Sequence, residues 1–259
     1  MPNYKEIALA SRKKVLELVY KAGTSHIGSL MGCADIYAVL FENFDFDKDK
    51  FVAGKSWSAA LLYYHLWRKG RITQEELNSY CQPGSKFIGL IEPVTKDIPF
   101  GIGSMGYGLS AGVGFALSKK LKKEPGIVYV LETDGSMNVG INWEAIMFAA
   151  HWKLDNLVLI IEKNGFQAMG KTKDILNYLP MANGWVSLDV DGHDYEQIEK
   201  SLSPGLSLEM PQEVRGIPRM VWATTTKGKG VSFMSGQNLW HYAKVKDEDY
   251  QNALAELNA

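Results

Sequence analysis

Residues 126–170 read GIVYVLETDGSMNVGINWEAIMFAAHWKLDNLVLIIEKNGFQAMG, two short apolar runs on either side of a helix-length segment. Ile127 to Leu131 is a short apolar run rich in β-branched residues, the pattern of a parallel strand buried on both faces, and it empties into Glu132-Thr133-Asp134-Gly135. A helix is expected next. Asn142 is a suitable N-cap, and Trp143, Ile146, Met147, Ala150 and Trp152 recur at roughly helical spacing. A second apolar run, Leu157 to Ile161, ends at Glu162-Lys163-Asn164. This is a βαβ unit, so Asp134 and Asn164 fall at the carboxyl ends of two parallel strands, beside the crevice where such sheets bind ligands. Asp134 offers a hard carboxylate and Asn164 an amide carbonyl, donors that Mg²⁺ or Ca²⁺ accepts together with phosphate oxygens. Gly135 lets a diphosphate approach the backbone. Asp134-Gly135 and Asn164-Gly165 are also ordinary turn formers. A site is favoured over two turns because both pairs follow strands of one unit.

The same segment resembles the thiamine diphosphate motif of the transketolase family. That motif opens on Gly-Asp-Gly, carries Trp-Glu-Ala at the start of the following helix, and closes about thirty residues later on Asn. Thr133-Asp134-Gly135, Trp143-Glu144-Ala145 and Asn164 match it, with Thr133 in place of the first Gly. The resemblance implies an α/β fold, a parallel-sheet thiamine diphosphate-binding fold with helices on both faces. It also implies that Asp134, Asn164 and the backbone carbonyl of Phe166 hold the metal, with Gly135 on the diphosphate. Val139 stands where the family has a Glu that helps couple paired active sites, and valine carries no proton.

A competing motif overlaps the end of the stretch. Gly165 to Thr172 spells GxxxxGK[ST] after a strand, which would cradle nucleotide phosphates with Lys171 on the last of them. Only Asp174 to Leu179 is available as its helix before Pro180, which is short for a nucleotide-binding loop.

Upstream, Tyr4 to Val19 reads as an amphipathic helix with Arg12, Lys13 and Lys14 on its wet side. A Gly- and hydroxyl-rich loop around Thr24-Ser25-His26-Ile27-Gly28-Ser29 precedes a helix from Cys33 to Phe41. A lone His in a loop is ordinarily a surface residue, but this segment resembles the family's stretch that delivers a His to the active site, a role that falls on His26. Phe51-Val-Ala-Gly-Lys-Ser-Trp-Ser is similar to the family's Phe-Val-Leu-Ser-Lys-Gly-His-Ala. Lys55 is kept, while Trp57 takes the place of a His that reaches the diphosphate and substrate, and an indole cannot shuttle protons. Leu90 likewise replaces the His of Gly-His-Pro-Glu. Thr73 with Glu76 forms a capping box. Gly101 to Ser110 resembles the family loop that lines the aminopyrimidine pocket, which implicates Gly103, Ser104 and Met105 and opens a helix from Ser110 to Leu121. Gly101, Gly103 and Gly106 also spell GxGxxG, but Pro93 and Pro99 precede them where a dinucleotide fingerprint needs a strand.

Downstream, Trp185 to Val190 is a strand ending in Asp191-Gly192-His193-Asp194, where His193 reads as a structural turn residue. Residues 203–215 read as a surface excursion. Arg219 to Thr225 is a strand that delivers Thr226-Lys-Gly-Lys-Gly and then Trp240-His241, close to family segments whose His contacts diphosphate and substrate. His241 is therefore the second catalytic candidate, with Tyr242 in place of the usual Gly. A helix from Glu248 to Leu257 ends the sequence.

The 259 residues are 46% hydrophobic and 22% charged with a formal net charge of −1, a globular composition with no overall basic field for nucleic acid or anionic lipid. The cluster Lys119-Lys120-Leu121-Lys122-Lys123 reads as a solvated helix end. Cys33 and Cys81 are the two cysteines, without CxxC spacing or a signal peptide, so a reduced, cytoplasmic compartment is expected. No apolar run approaches the roughly 20 residues of a membrane span. No repeat or low-complexity linker divides the chain, which reads as one domain over 1–259. The resemblance implies a thiamine diphosphate cofactor with Mg²⁺ or Ca²⁺ and a sugar or sugar-phosphate substrate. It also implies a separately encoded carboxy-terminal transketolase subunit bearing the pyrimidine-binding domain, assembled as a dimer of two-subunit pairs. An inactive or regulatory relative is the alternative, and a nucleotide-binding loop protein the second alternative.

Overall fold

One all-parallel sheet organises the computed structural model, which describes residues 2–103, 105–175, 183–206 and 211–259. Its strands are β1 (Lys50–Ala53), β2 (Val128–Thr133), β3 (Leu157–Lys163), β6 (Val186–Asp191) and β7 (Arg219–Thr224), in the order β1-β2-β3-β7-β6. A two-stranded hairpin, β4 (Phe166–Gln167) with β5 (Gly170–Lys171), hangs from the end of β3. Register is set by continuous pairs such as Val130↔Leu159 and Ile160↔Val221.

The central strands are apolar on both faces because each face is covered. Val128, Val130, Leu157, Leu159 and Ile161 enter one core under α5 (Tyr107–Lys122) and α6 (Gly140–His151). Tyr129, Leu131, Val158 and Ile160 alternate with them into the opposite core. That second core is built by α1 (Tyr4–Ala22), α2 (Ile27–Asn43), α3 (Ala59–Arg68), α8 (Tyr195–Leu202) and α9 (Asp247–Asn258); the short helices α4 (Gln74–Asn78) and α7 (Thr172–Ile175) lie in connections. Chain direction across the sheet runs β1 to β3, jumps to β6 and returns to β7. Right-handed crossovers then put α5 and α6 on one face and α8 on the other, and the reversal falls between β3 and β7. Among the described residues no helix is long and apolar enough to cross a membrane.

Several local expectations change. Asn142 is not the N-cap of α6: the helix begins two residues earlier, and the Asn142 amide, wholly buried, donates back to the carbonyl of Ser136 at 2.9 Å. Arg12 is not on a wet face. It is buried against Asp35, with Nη2 to Oδ2 at 2.6 Å, and the same carboxylate accepts from His193 Nδ1 at 2.7 Å and Tyr195 at 2.9 Å. Burial pushes Asp35 up, yet these donors hold it down to about 2. The amide of Thr226 donates to His193 Nε2 at 2.8 Å, which fixes the ring as a structural bridge between α2 and the loop after β7. The helix expected from Cys33 starts at Ile27, directly after His26. Lys119 leaves the solvated cluster and caps the carbonyls of Lys48 and Pro125 at 2.7 and 2.8 Å. The Thr73 capping box is present. Of the short helix expected over Asp174 to Leu179, positions 176–179 lie outside the described residues.

Candidate active site

At the carboxyl ends of β1, β2 and β3 a cavity of about 370 Å³ opens. His26 and Ser29 enter it from the start of α2, Gly54, Lys55 and Trp57 from the end of β1, and Gly103 and Met105 from the loop before α5. Thr133 and Gly135 follow β2, Asn164 and Phe166 follow β3, and His241 and Tyr242 close the ring. Ser104 lies outside the described residues. Leu90 is not among the lining residues, so of the two replaced histidine positions only Trp57 shapes the cavity.

Asp134 lies just beneath this lining, 3% exposed. Its Oδ2 accepts from the Gly165 amide at 2.8 Å and the Thr172 hydroxyl at 3.0 Å, and Oδ1 from the Gly135 amide at 3.0 Å. Burial and the nearby Glu162 charge push its carboxyl up to about 6 against those donors, so an added cation is electrostatically welcome. Asn164 Oδ1 accepts from the Phe166 amide at 2.9 Å. Thr133, in place of the family glycine, closes the turn: its hydroxyl accepts from the Ser136 amide at 3.0 Å, and its own amide donates to the Ser136 hydroxyl at 3.0 Å. Val139 packs against the loop before α5, where a Cβ on Gly106 would come within 2.8 Å of it.

The two histidines meet. Their ring centroids are 4.8 Å apart, the His26 amide donates to the His241 carbonyl at 3.1 Å, and the indole of Trp57 stacks on His26. His26 holds a left-handed conformation, φ 72°, unusual for a residue with a Cβ and common where a site imposes geometry. Burial first, then neighbouring charges including Lys227 and Lys55, push His26 down to about 3 and His241 to about 4. Both rings are therefore neutral at pH 7.

Two buried lysines join the site without having been expected there. Lys55 Nζ donates to Glu162 at 3.0 Å, to the Ser29 carbonyl at 2.9 Å and to Cys33 Sγ at 2.8 Å; burial disfavours its charge, but Cys33 and Glu162 raise it above the usual range. Lys227, 1% exposed, reaches Ser29 Oγ at 3.1 Å and His241 Nδ1 at 3.3 Å. Burial and the neighbouring Lys55 press it down to about 8. Lys55 and Lys227 thus stand with two buried carboxylates, Glu162 and Asp134, beside the cavity, so the lysines bring positive charge to the edge of a site where an anion would sit and Asp134 brings a carboxylate for a cation. The run Thr226-Lys-Gly-Lys-Gly is the signal for Lys227, but its burial depends on contacts with α2.

The GxxxxGK[ST] residues do not form a phosphate cradle. Phe166 and Gln167 pair with Lys171 and Gly170 as an antiparallel hairpin, the Thr172 amide donates to the Gly165 carbonyl, and the Thr172 hydroxyl donates to Asp134.

Residues 4–258 match the family described as transketolase, thiamine diphosphate binding domain. The chain belongs to that family and is a thiamine diphosphate-binding, transketolase-like enzyme chain. It is 32% identical over 262 residues to an apulose-4-phosphate transketolase subunit of Phocaeicola vulgatus, covering 96% of this chain and 91% of that protein. It is also 32% identical to the 6-deoxy-6-sulfo-D-fructose transketolase subunit SqwG of a Clostridium species, covering 95% and 93%. The transketolase of Campylobacter jejuni superposes with a TM-score of 0.86 at 27% identity, over 100% of this chain and 43% of that one. The chain thus spans about two fifths of the solved transketolases it matches.

Proposed function

We propose that this chain is the diphosphate-binding subunit of a split transketolase-like enzyme, transferring a two-carbon ketol unit between sugars and active only with a separately encoded pyrimidine-domain subunit. The observation that carries it is the convergence in one crevice of Asp134 and Asn164, two buried lysines and a pair of neutral histidines. Asp134, Asn164 and the Phe166 carbonyl would hold Mg²⁺ or Ca²⁺ with the diphosphate oxygens, Gly135 would admit the diphosphate, and Gly103, Ser104 and Met105 would border the aminopyrimidine. Lys55 and Lys227 supply positive charge to that region.

When bound, thiamine diphosphate supplies the carbon nucleophile for cleaving and forming the bond beside a ketose carbonyl. His26 and His241, neutral at pH 7, would hold donor hydroxyls and accept or return their protons. His26 Nδ1 is engaged by the Ser25 hydroxyl at 2.7 Å, which leaves Nε2 for a ligand. Trp57 contributes an apolar wall and one N–H in place of an imidazole, so a donor other than the common pentose phosphates is favoured, such as a modified or deoxygenated sugar or an α-keto acid.

Phe100, Met105 at the cavity, Tyr107 at the start of α5, Met147 and Phe148 on α6 and Trp152 just past its end are large exposed apolar residues of the kind a partner covers. Two relatives are named as subunits, which supports the same reading, and a dimer of two-subunit pairs is the assembly proposed. The test is reconstitution. The chain alone should show no ketol transfer, and addition of the separately encoded pyrimidine-domain subunit should restore turnover. Full turnover by the single chain would overturn the split reading. Binding of thiamine diphosphate and Mg²⁺ by the pair without turnover on any sugar or keto-acid donor would favour the inactive relative, a reading that rests on Trp57 and Val139.

A further inference from the structure

Glu162, next to last in β3, is 0% exposed and is not among the residues that line the cavity. Its Oε2 accepts from Asn164 Nδ2 at 2.8 Å and from Lys55 Nζ at 3.0 Å, and Oε1 accepts from the Thr225 hydroxyl at 2.6 Å. Oε2 is thus shared by two donors, one of them the Lys55 ammonium, which has no lone pair and can only donate. Asn164 is the first residue past β3, and its side chain turns back to the same side as that of Glu162, as their hydrogen bond shows.

We infer that Glu162 is a positioning residue that fixes which end of the Asn164 amide faces the ligand cavity. Because Oε2 already accepts from that ammonium, it acts as an acceptor, so the end of Asn164 that meets it must be Nδ2. The other end, Oδ1, then takes the Phe166 amide at 2.9 Å and keeps a second lone pair for a hard cation. The flipped amide would set Oδ1 against a carboxylate oxygen and NH₂ against the Phe166 N–H, exchanging two hydrogen bonds for two repulsive contacts. It would also offer the cation an amide nitrogen, which has no available lone pair. Lys55 holds the carboxylate in place: it reaches Glu162 from the end of β1 while anchored on Ser29 and Cys33 of α2. The orientation of one ligand is thus set by a chain of contacts running from α2 through β1 to β3.

Glu162→Leu removes the acceptor and frees the Asn164 amide to turn, whereas Glu162→Gln keeps it, because the Lys55 ammonium only donates and holds the new amide oxygen in the place of Oε2 while the amide nitrogen meets the Thr225 hydroxyl. The role rests on the metal site proposed above, and the experiment separates the two. Mn²⁺ is titrated, with detection by electron paramagnetic resonance, into the complex of this chain with thiamine diphosphate and its partner subunit. Wild type, Glu162→Leu and Glu162→Gln are compared. Glu162→Leu is expected to weaken Mn²⁺ by about 10–100-fold, the effect of losing a group that orients a metal ligand, with Glu162→Gln close to wild type. Equal affinity of Glu162→Leu and wild type, or equal loss in both variants, overturns the inference. If wild type itself binds no Mn²⁺, the metal reading falls and this role falls with it. Should Glu162→Leu fail to fold, a neutron structure of the metal-loaded wild-type complex decides: Nδ2 of Asn164 on Glu162 and Oδ1 on the metal supports the role, and the reverse overturns it.

Discussion

The indole of Trp57 lies parallel to the imidazole of His26, 4.3 Å between ring centroids and 2° between planes. Trp57 is 43% exposed and His26 is 6% exposed, so the larger ring forms a cavity wall over the smaller one. His241 tilts against the same imidazole, and Tyr242 meets it edge-on at 5.8 Å. His26 therefore sits in an aromatic box, in a backbone conformation that disfavours relaxation, and its orientation depends on the residue that replaced the family histidine.

Trp57→His restores a proton-carrying ring and enlarges the mouth of the cavity. Stacked aromatic pairs contribute about 0.5–1.5 kcal/mol beyond burial, so stability should fall only slightly. In the reconstituted pair the variant should gain turnover of xylulose 5-phosphate relative to the native donor, read as the ratio of kcat/KM values. An unchanged ratio would show that Trp57 does not set donor choice.

Asp134→Ala removes the acceptor of two backbone amides and one hydroxyl in a buried place. Each donor left unpaired costs about 1–3 kcal/mol, partly offset by relief of the repulsion from Glu162. Calorimetry with thiamine diphosphate and Mg²⁺ should register no binding, and the melting temperature should drop. Asp134→Asn keeps one acceptor oxygen and should recover much of the melting temperature without the binding. Retained binding in either variant would remove Asp134 from the proposed ligand set.

How much of this is legible in the sequence follows from the range of the interactions. The strands after Gly126 and Asp155 announce themselves by short apolar runs, and Asp134 and Asn164 by polar turn residues placed directly after them; both signals are local. Arg12 is misplaced by its pattern because helical periodicity cannot register a partner 23 residues ahead and a third 181 residues ahead at His193. Lys227 hides in a Gly-Lys run that looks solvated until α2 closes over it. His26 directly precedes a helix rather than sitting in a free loop, a consequence of its bond to the His241 carbonyl, 215 positions away. Glu162 can be placed on a strand but not paired, since Lys55 lies 107 residues earlier.

Gly108, in the first turn of α5, lets that helix touch the end of β1. A Cβ there would sit 2.4 Å from the Gly54 Cα and 2.8 Å from its nitrogen, both backbone atoms that cannot swing aside. Gly108→Ala should cost about 1–3 kcal/mol as overpacking and weaken thiamine diphosphate, because displacing α5 drags the loop bearing Gly103 and Met105. Gly114→Ala in the same helix meets nothing within 4 Å and should instead stabilise by up to about 1 kcal/mol. Chemical denaturation of the two variants reads the contrast. Equal effects would mean the close approach carries no weight.

His65 faces Phe41 at 5.5 Å inside the second core, fully buried, and among the described residues neither ring nitrogen has a hydrogen-bond partner. Burial first, then the charges of Arg68 and Lys69, push it down to about 3, against an ordinary histidine value near 6.5 in the unfolded chain. Above pH 6.5 the ring is neutral in both states and its contribution to stability is constant. Below that, the unfolded chain takes up a proton that the fold refuses, so stability falls by about 1.4 kcal/mol per pH unit until pH approaches 3. His65→Leu, of similar volume, removes both the titration and the unpaired nitrogens. It should raise stability at pH 7 by about 1–2 kcal/mol and flatten the loss between pH 6.5 and 4. Urea unfolding across that range, taken as variant minus wild type, isolates this residue from the others that titrate. A difference that does not grow as pH falls would show that the buried imidazole is already protonated or partnered.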